Sequence, residues 1–170
     1  VTLGYIVETL QTFHEQPSTL LMPSIVPGSF EYKLFSMYLS YLPESKTCID
    51  LSGANDNRGS FTEVWKSIDH GQFSVNVSLP GATKGEHWHN SKWEIFIVVF
   101  GHGVIQERNL LTNEIREFEV SGDKLQAVYC LPGWTHNIIN LSKTDNMITL
   151  MWANEIFDPN KPDTYRELVN

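Results

Sequence analysis

The chain has 170 residues, 20 of them acidic and 12 basic, which gives a formal charge of −8 and a pI near 5.1. That length fits one domain with an appendage and encloses a core without disulfides. An apolar content of 41% sets it apart from disordered chains, and the absence of any Lys/Arg cluster argues against nucleic acid or membrane as the main partner.

Residues 1–43 have a helical pattern. Leu3, Ile6, Val7, Leu10 and Phe13 fall at the spacing of an amphipathic helix. A Pro-punctuated stretch runs from Pro17 through Pro23 to Pro27-Gly28. A second helix is predicted from a Ser29 cap through Phe30, Leu34, Met37 and Tyr41, ending at Pro43. Two short helices on such a tether make no independent core, so this segment reads as the end of a preceding domain or as packing for the next. The chain begins at Val1 without an initiator Met, as a fragment or processed chain would.

Residues 44–170 read as the second unit, and from about Thr47 the pattern is that of strands. Predicted strands are 60–66, 72–79, 86–89, 93–99, 103–109, 115–120, 124–131, 136–141 and 146–153. Each is short, rich in β-branched and aromatic residues, and bounded by Gly, Pro, Asn or Asp. Strands at these intervals with no helix between them predict an antiparallel sandwich or barrel. The tail, residues 157–165, is expected to wrap the surface. Cys48 and Cys130 stand far apart without a C-x-x-C and read as reduced thiols. No apolar run reaches the ~18 residues of a membrane span and no signal peptide precedes the first element, which points to the cytoplasm.

The chemistry concentrates in Gly81–Glu94. His87 and His89 are two apart, so a strand sends both imidazoles to one face and Trp88 to the other. Glu94 follows after a short turn, and its carboxylate is expected opposite the two His on an antiparallel partner strand. His136, after the turn Pro132-Gly133, is the fourth candidate. Three imidazoles and a carboxylate form a mixed donor set suited to Zn, Fe, Mn or Ni. An isolated H-x-H pair is commonly ordinary strand chemistry. Here the full string is Gly81-x5-His87-x-His89-x4-Glu94-x6-Gly101, followed by Pro132-Gly133-x-x-His136-x3-Asn140.

That string resembles the double motif of the cupin superfamily from about residue 47 to 155, which implies an all-β double-stranded β-helix, or jelly-roll barrel, with a short N-terminal helical segment. It departs from the family in the adjacency of Pro132 and Gly133, where the usual motif has Pro-x-Gly. The segment Asp56–Glu63, the strand Gln72…Asn76-x-Ser78 and the turn Lys84-Gly85-x-His87 resemble dTDP-4-dehydrorhamnose 3,5-epimerases. In those enzymes the residues matching Arg58 and Glu63 hold the nucleotide sugar, and a His at the His87 position is the base. Asp56–Glu63, Gly85–Gly103, Ser121–Leu125, Thr135–Ile138 and Met151–Tyr165 are similar to bifunctional enzymes of UDP-N-acetyl-L-fucosamine synthesis for bacterial capsule or O-antigen. The resemblance implies a zinc cupin that epimerises C3 of a UDP-2-acetamido-2,6-dideoxy-4-hexulose, preceded by a short-chain reductase domain that ends within residues 1–43. No Gly-rich dinucleotide fingerprint is present, so NADPH is not expected to bind this chain.

Epimerisation next to a ketone requires a base, an acid and stabilisation of the enolate oxygen. A His bound to metal through one nitrogen cannot use that nitrogen as base, so His87, His89, Glu94 and His136 are assigned to metal. Lys84, Tyr129 and His102, with Glu86, are left as acid–base candidates. Arg58, Glu63, Lys84 and Asn76 are expected to hold the UDP-sugar. Trp65, Trp88 and several Phe on outer faces predict a homodimer. A metal-dependent oxygenase or isomerase of another small molecule, or a catalytically silent sugar-nucleotide-binding and dimerisation module, are the alternative readings.

Overall fold

The computed structural model of the protein describes residues 1–170. Helix α1 (Leu3–Thr19) is capped by the Thr2 side chain, which accepts from the Tyr5 N–H, and α2 (Phe30–Ser40) by Ser29, which accepts from Tyr32. The first helix passes through Pro17, where the sequence suggested a break. Pro17 lies in the last turn, so it removes only one backbone donor before the chain leaves the helix. Of the predicted apolar stripe only Phe13 is buried, packed against Phe35 and Tyr38 with ring centroids 4.7 and 5.8 Å away. The tether docks on the barrel where Met22 N–H donates to the Lys66 carbonyl and Lys66 N–H to that of Leu20.

Eleven strands follow, all paired antiparallel. They are β1 (Gly53–Asp56), β2 (Gly59–Ser67), β3 (Gly71–Ser78), β4 (Thr83–Trp88), β5 (Glu94–Phe100), β6 (His102–Asn109), β7 (Ile115–Ser121), β8 (Ala127–Cys130), β9 (Trp134–Asn140), β10 (Met147–Ala153) and β11 (Tyr165–Arg166). They form a six-stranded sheet, β1-β2-β3-β10-β5-β8, and a five-stranded sheet, β11-β4-β9-β6-β7. The inner faces meet in one core: Phe96, Val98, Val128, Cys130 and Met147 from the first sheet, and Ile105, Val120 and Ile138 from the second. This is the antiparallel barrel that the strand pattern predicted, in the double-sheet jelly-roll form that the family resemblance implied.

Every predicted strand is present within a few residues of its expected bounds. Two were not foreseen: β1, a short edge strand without apolar alternation, and β11 in the tail. The tail does more than wrap the surface. Tyr165 and Arg166 pair with Trp88 and His87, the Tyr165 ring stacks on Trp88 at 4.7 Å, and Val169 is fully buried. Trp88 is therefore covered from within the chain. The Trp65 ring stacks on Phe73 at 5.1 Å and stays half exposed.

Candidate active site

Strand β4 carries a bulge between Gly85 and His87 in its pairing with β9. Gly85 has φ +96, and a Cβ there would lie 2.8 Å from the His136 carbonyl oxygen, so glycine lets β4 approach β9 this closely. The bulged residue, Glu86, has φ +59. Beyond the bulge, His87 lies directly opposite His136 on β9. The turn before β9 is built on Gly133 (φ +75), whose N–H donates to the His89 carbonyl at 2.8 Å. The adjacent Pro132-Gly133 pair thus ties the second motif to the first.

Glu94 arrives by a route different from the one expected. It does not pair with the β4 strand: it opens β5 in the opposite sheet, where it lies beside Cys130, and reaches the imidazoles across the barrel interior. Loop 89–93 therefore carries the chain from one sheet to the other instead of making a hairpin. The ligand atoms of His87, His89, Glu94 and His136 all lie within 4.8 Å of one another. Glu94 Oε2 is 3.3 Å from both His89 Nε2 and His136 Nε2.

These three atoms are buried and none has a hydrogen-bond partner. Orphaned buried polar atoms are costly, and three converging on one point fit a cation. The other ring nitrogens face outward: His89 Nδ1–H donates to the Asp163 carbonyl, and His136 Nδ1 lies 3.4 Å from that of Trp134. Each such contact fixes the tautomer that leaves Nε2 free to ligate. Burial, with the neighbouring His136, pushes His87 down to about 4, which keeps it neutral as a ligand must be. Burial alone would raise Glu94, but His136 and His89 outweigh it and hold the carboxyl well below the usual range.

The tail holds the loop between the ligands. The Asp163 carboxylate accepts from the backbone N–H of Asn90 (2.9 Å), Ser91 (2.7 Å) and Lys92 (2.8 Å) and from Ser91 Oγ (3.1 Å). These donors outweigh burial and keep its carboxyl well below the usual carboxylate range. Nothing in the sequence singled out Asp163, because a lone Asp in a Pro-containing tail looks like any surface residue.

The cluster opens into a cavity of about 560 Å³ whose lining includes His87, Glu94, Arg58, Glu63, Asn76 and Lys84. All the predicted sugar-nucleotide contacts are thus on one wall system. Arg58 is half exposed at the rim and paired with Asp56, its guanidinium 2.6 Å from Asp56 Oδ2, while Glu63 pairs with Lys66 at 2.8 Å. Lys84 Nζ donates to the carbonyls of Ser60 (3.0 Å) and Val77 (2.8 Å) and to Asn76 Oδ1 (2.7 Å). Burial holds the Lys84 ammonium below the ordinary lysine range.

Two predicted acid–base residues are not brought to this cavity. Tyr129 sits half exposed on β8, its ring facing Trp93 at 5.9 Å, because alternation on that short strand turns Val128 and Cys130 inward instead. His102 begins β6, five residues from the position that faces His136, and pairs with Glu119 at 2.7 Å. Glu86 also turns away: its carboxylate accepts from Asn137 Nδ2 and the Val169 N–H. Two cavity residues escaped the sequence reading, buried Lys92 in the loop and half-buried Thr164 in the tail.

Residues 54–165 match the family described as the polysaccharide biosynthesis C-terminal domain. The chain belongs to this family. It is 40% identical over 165 residues to a UDP-2-acetamido-2,6-beta-L-arabino-hexul-4-ose reductase of Pseudomonas aeruginosa, covering 97% of this chain and 44% of that protein. The crystal structure of the capsular polysaccharide assembling protein CapF from Staphylococcus aureus superposes with a TM-score of 0.94 at 51% identity, covering 99% of this chain and 49% of CapF. The chain thus spans about half the length of these relatives. ChmJ, a 3'-monoepimerase from Streptomyces bikiniensis, shares the fold at a TM-score of 0.51 and 16% identity, over 68% of this chain and 65% of that one.

Proposed function

We propose that this domain epimerises C3 of a 4-keto UDP-2-acetamido-2,6-dideoxyhexose in bacterial capsule or O-antigen sugar synthesis. The observation that carries this reading is a His/Glu cluster with three unpartnered buried ligand atoms that opens, through His87 and Glu94, into the cavity walled by Arg58, Glu63, Asn76 and Lys84. The name of the Pseudomonas relative, a reductase of a UDP-2-acetamido hexul-4-ose, supports a 4-keto sugar nucleotide as the ligand class.

The residues that would hold the metal are His87, His89, Glu94 and His136. Zinc suits them, as would iron, manganese or nickel, and the metal when bound supplies Lewis-acid polarisation of a carbonyl. Arg58 exchanges its Asp56 partner for the substrate diphosphate at the cavity rim, with Glu63 and Asn76 completing the contacts. Lys84 is the acid–base candidate that lines the cavity; to take the C3 proton it first gives up its own proton and releases one of the three acceptors that hold its ammonium. The C–H electron pair then forms the C3–C4 π bond while the carbonyl pair moves onto O4. A water molecule then delivers a proton to the opposite face of C3, which restores the ketone with inverted configuration, and Lys84 returns its proton to solvent.

On the same reading, residues 1–43 end a preceding reductase domain, NADPH belongs to that domain, and the enzyme works in the cytoplasm as a homodimer. Proton NMR in deuterium oxide with the 4-keto UDP-sugar tests the activity, with deuterium expected at C3 without any nicotinamide. No uptake above an enzyme-free control would make this a silent binding module.

A further inference from the structure

Resting on the epimerase reading, we propose that Lys92 is a catalytic residue whose ammonium donates a hydrogen bond to the C4 oxygen as charge develops there. Lys92 lies in loop 89–93 between His89 and Glu94 and is only 7% exposed, although lysine is among the residues least often buried. Its side chain lines the cavity together with Glu94, His87 and Thr164.

What distinguishes it is an incomplete set of partners. An ammonium has three donors. Lys92 Nζ makes one hydrogen bond, to Thr164 Oγ1 at 3.3 Å, and lies 3.9 Å from Glu94 Oε1, beyond hydrogen-bond length. Lys84, the half-buried lysine that also lines the cavity, has all three donors occupied by protein acceptors. The two lysines therefore differ in kind: Lys84 is tied to its wall, whereas Lys92 keeps donor capacity for a guest.

The charge is also fixed in place. The Lys92 N–H is bound by the Asp163 carboxylate, so the backbone beneath the side chain is held before any ligand arrives. A cation held at so buried a position needs little reorganisation when negative charge appears on a nearby oxygen, the condition under which such donors accelerate reactions most. The C3 proton leaves to the base, a proton returns from water, and Lys92 lowers the energy of the enolate between those events.

The test compares deuterium entry at C3 for the parent chain, Lys92→Met and Lys92→Arg, with metal content measured on each. Lys92→Met keeps the stem and removes the charge. It is expected to lower exchange turnover by roughly a hundredfold or more, with KM little changed and the parent's metal stoichiometry retained. Lys92→Arg should recover part of the loss. Exchange by Lys92→Met at the parent's rate overturns the assignment. A loss of exchange that tracks loss of metal also overturns it, since Lys92 would then act only by holding Glu94. A parent chain that takes up no deuterium overturns the epimerase reading itself, and the role of Lys92 with it.

Discussion

Replacing Asp163 with alanine should loosen a candidate metal site that the Asp163 carboxylate never touches. Its carboxylate binds three successive backbone N–H groups and one hydroxyl across the loop between His89 and Glu94. Asn90 and Ser91 are exposed, so water replaces part of what the alanine removes. Taking about 1 kcal/mol net for each of the three backbone bonds gives a destabilisation of about 3 kcal/mol at neutral pH. The sign of the pH dependence follows from the depressed carboxyl. Its stabilising effect is full above the unfolded value of about 4 and is lost as pH falls below it, so the gap between parent and variant should be about 1 kcal/mol smaller at pH 3 than at pH 6. Metal affinity should drop by roughly tenfold to a hundredfold, the usual effect of disturbing residues that orient ligands. Urea denaturation of chelator-treated protein at the two pH values measures the first effect, and competition with a chromogenic chelator the second. A variant as stable as the parent at neutral pH, or a gap unchanged between pH 6 and pH 3, would refute the reasoning.

Elemental analysis should find one metal per parent chain and none in His89→Ala, and added zinc should raise the melting temperature of the parent alone. Arg58→Ala should weaken binding of the UDP-sugar by roughly tenfold to a hundredfold, the worth of one charged hydrogen bond, with metal content unchanged by the same analysis. Burial pushes the Glu107 carboxyl, only 1% exposed, up to about 7, against the pull of Arg116 and Cys130. The parent therefore loses stability as pH rises from about 4 to 7, and chelator-treated Glu107→Gln should be the more stable form by about 3 kcal/mol at pH 8 and equal to it near pH 4. Chemical denaturation across that range measures the crossover. Light scattering at micromolar concentration should give the mass of a dimer.

The residues that announce themselves in the sequence do so through local regularity. His87 and His89 fall on one face because side chains alternate, and the strands around Phe96, Ile105 and Ile138 are short runs rich in β-branched and aromatic residues bounded by Gly, Pro, Asn or Asp. The Ser29 cap was legible because the hydroxyl and the Tyr32 N–H it accepts from are only three residues apart. What stayed hidden depends on pairs distant along the chain. The short spacing from His89 to Glu94 suits a hairpin as well as a crossing between sheets, and only the packing of both sheets decides between them. Asp163 and Thr164 reach residues more than seventy positions away, which no periodicity reports. Tyr129 and His102 looked eligible by residue type alone. Their orientation followed from the register of β8 and β6, which the sequence leaves open by one residue.

Because His87 and His136 come from one sheet and Glu94 from the other, with His89 opening the loop between them, a cation bound at this point would work as a rivet between two plates. Prising the barrel open at its mouth then requires a coordination bond to break first, whereas closing it does not require that bond to have formed. Metal occupancy should accordingly register in the lifetime of the folded barrel, in how slowly it comes apart, far more than in how fast it assembles.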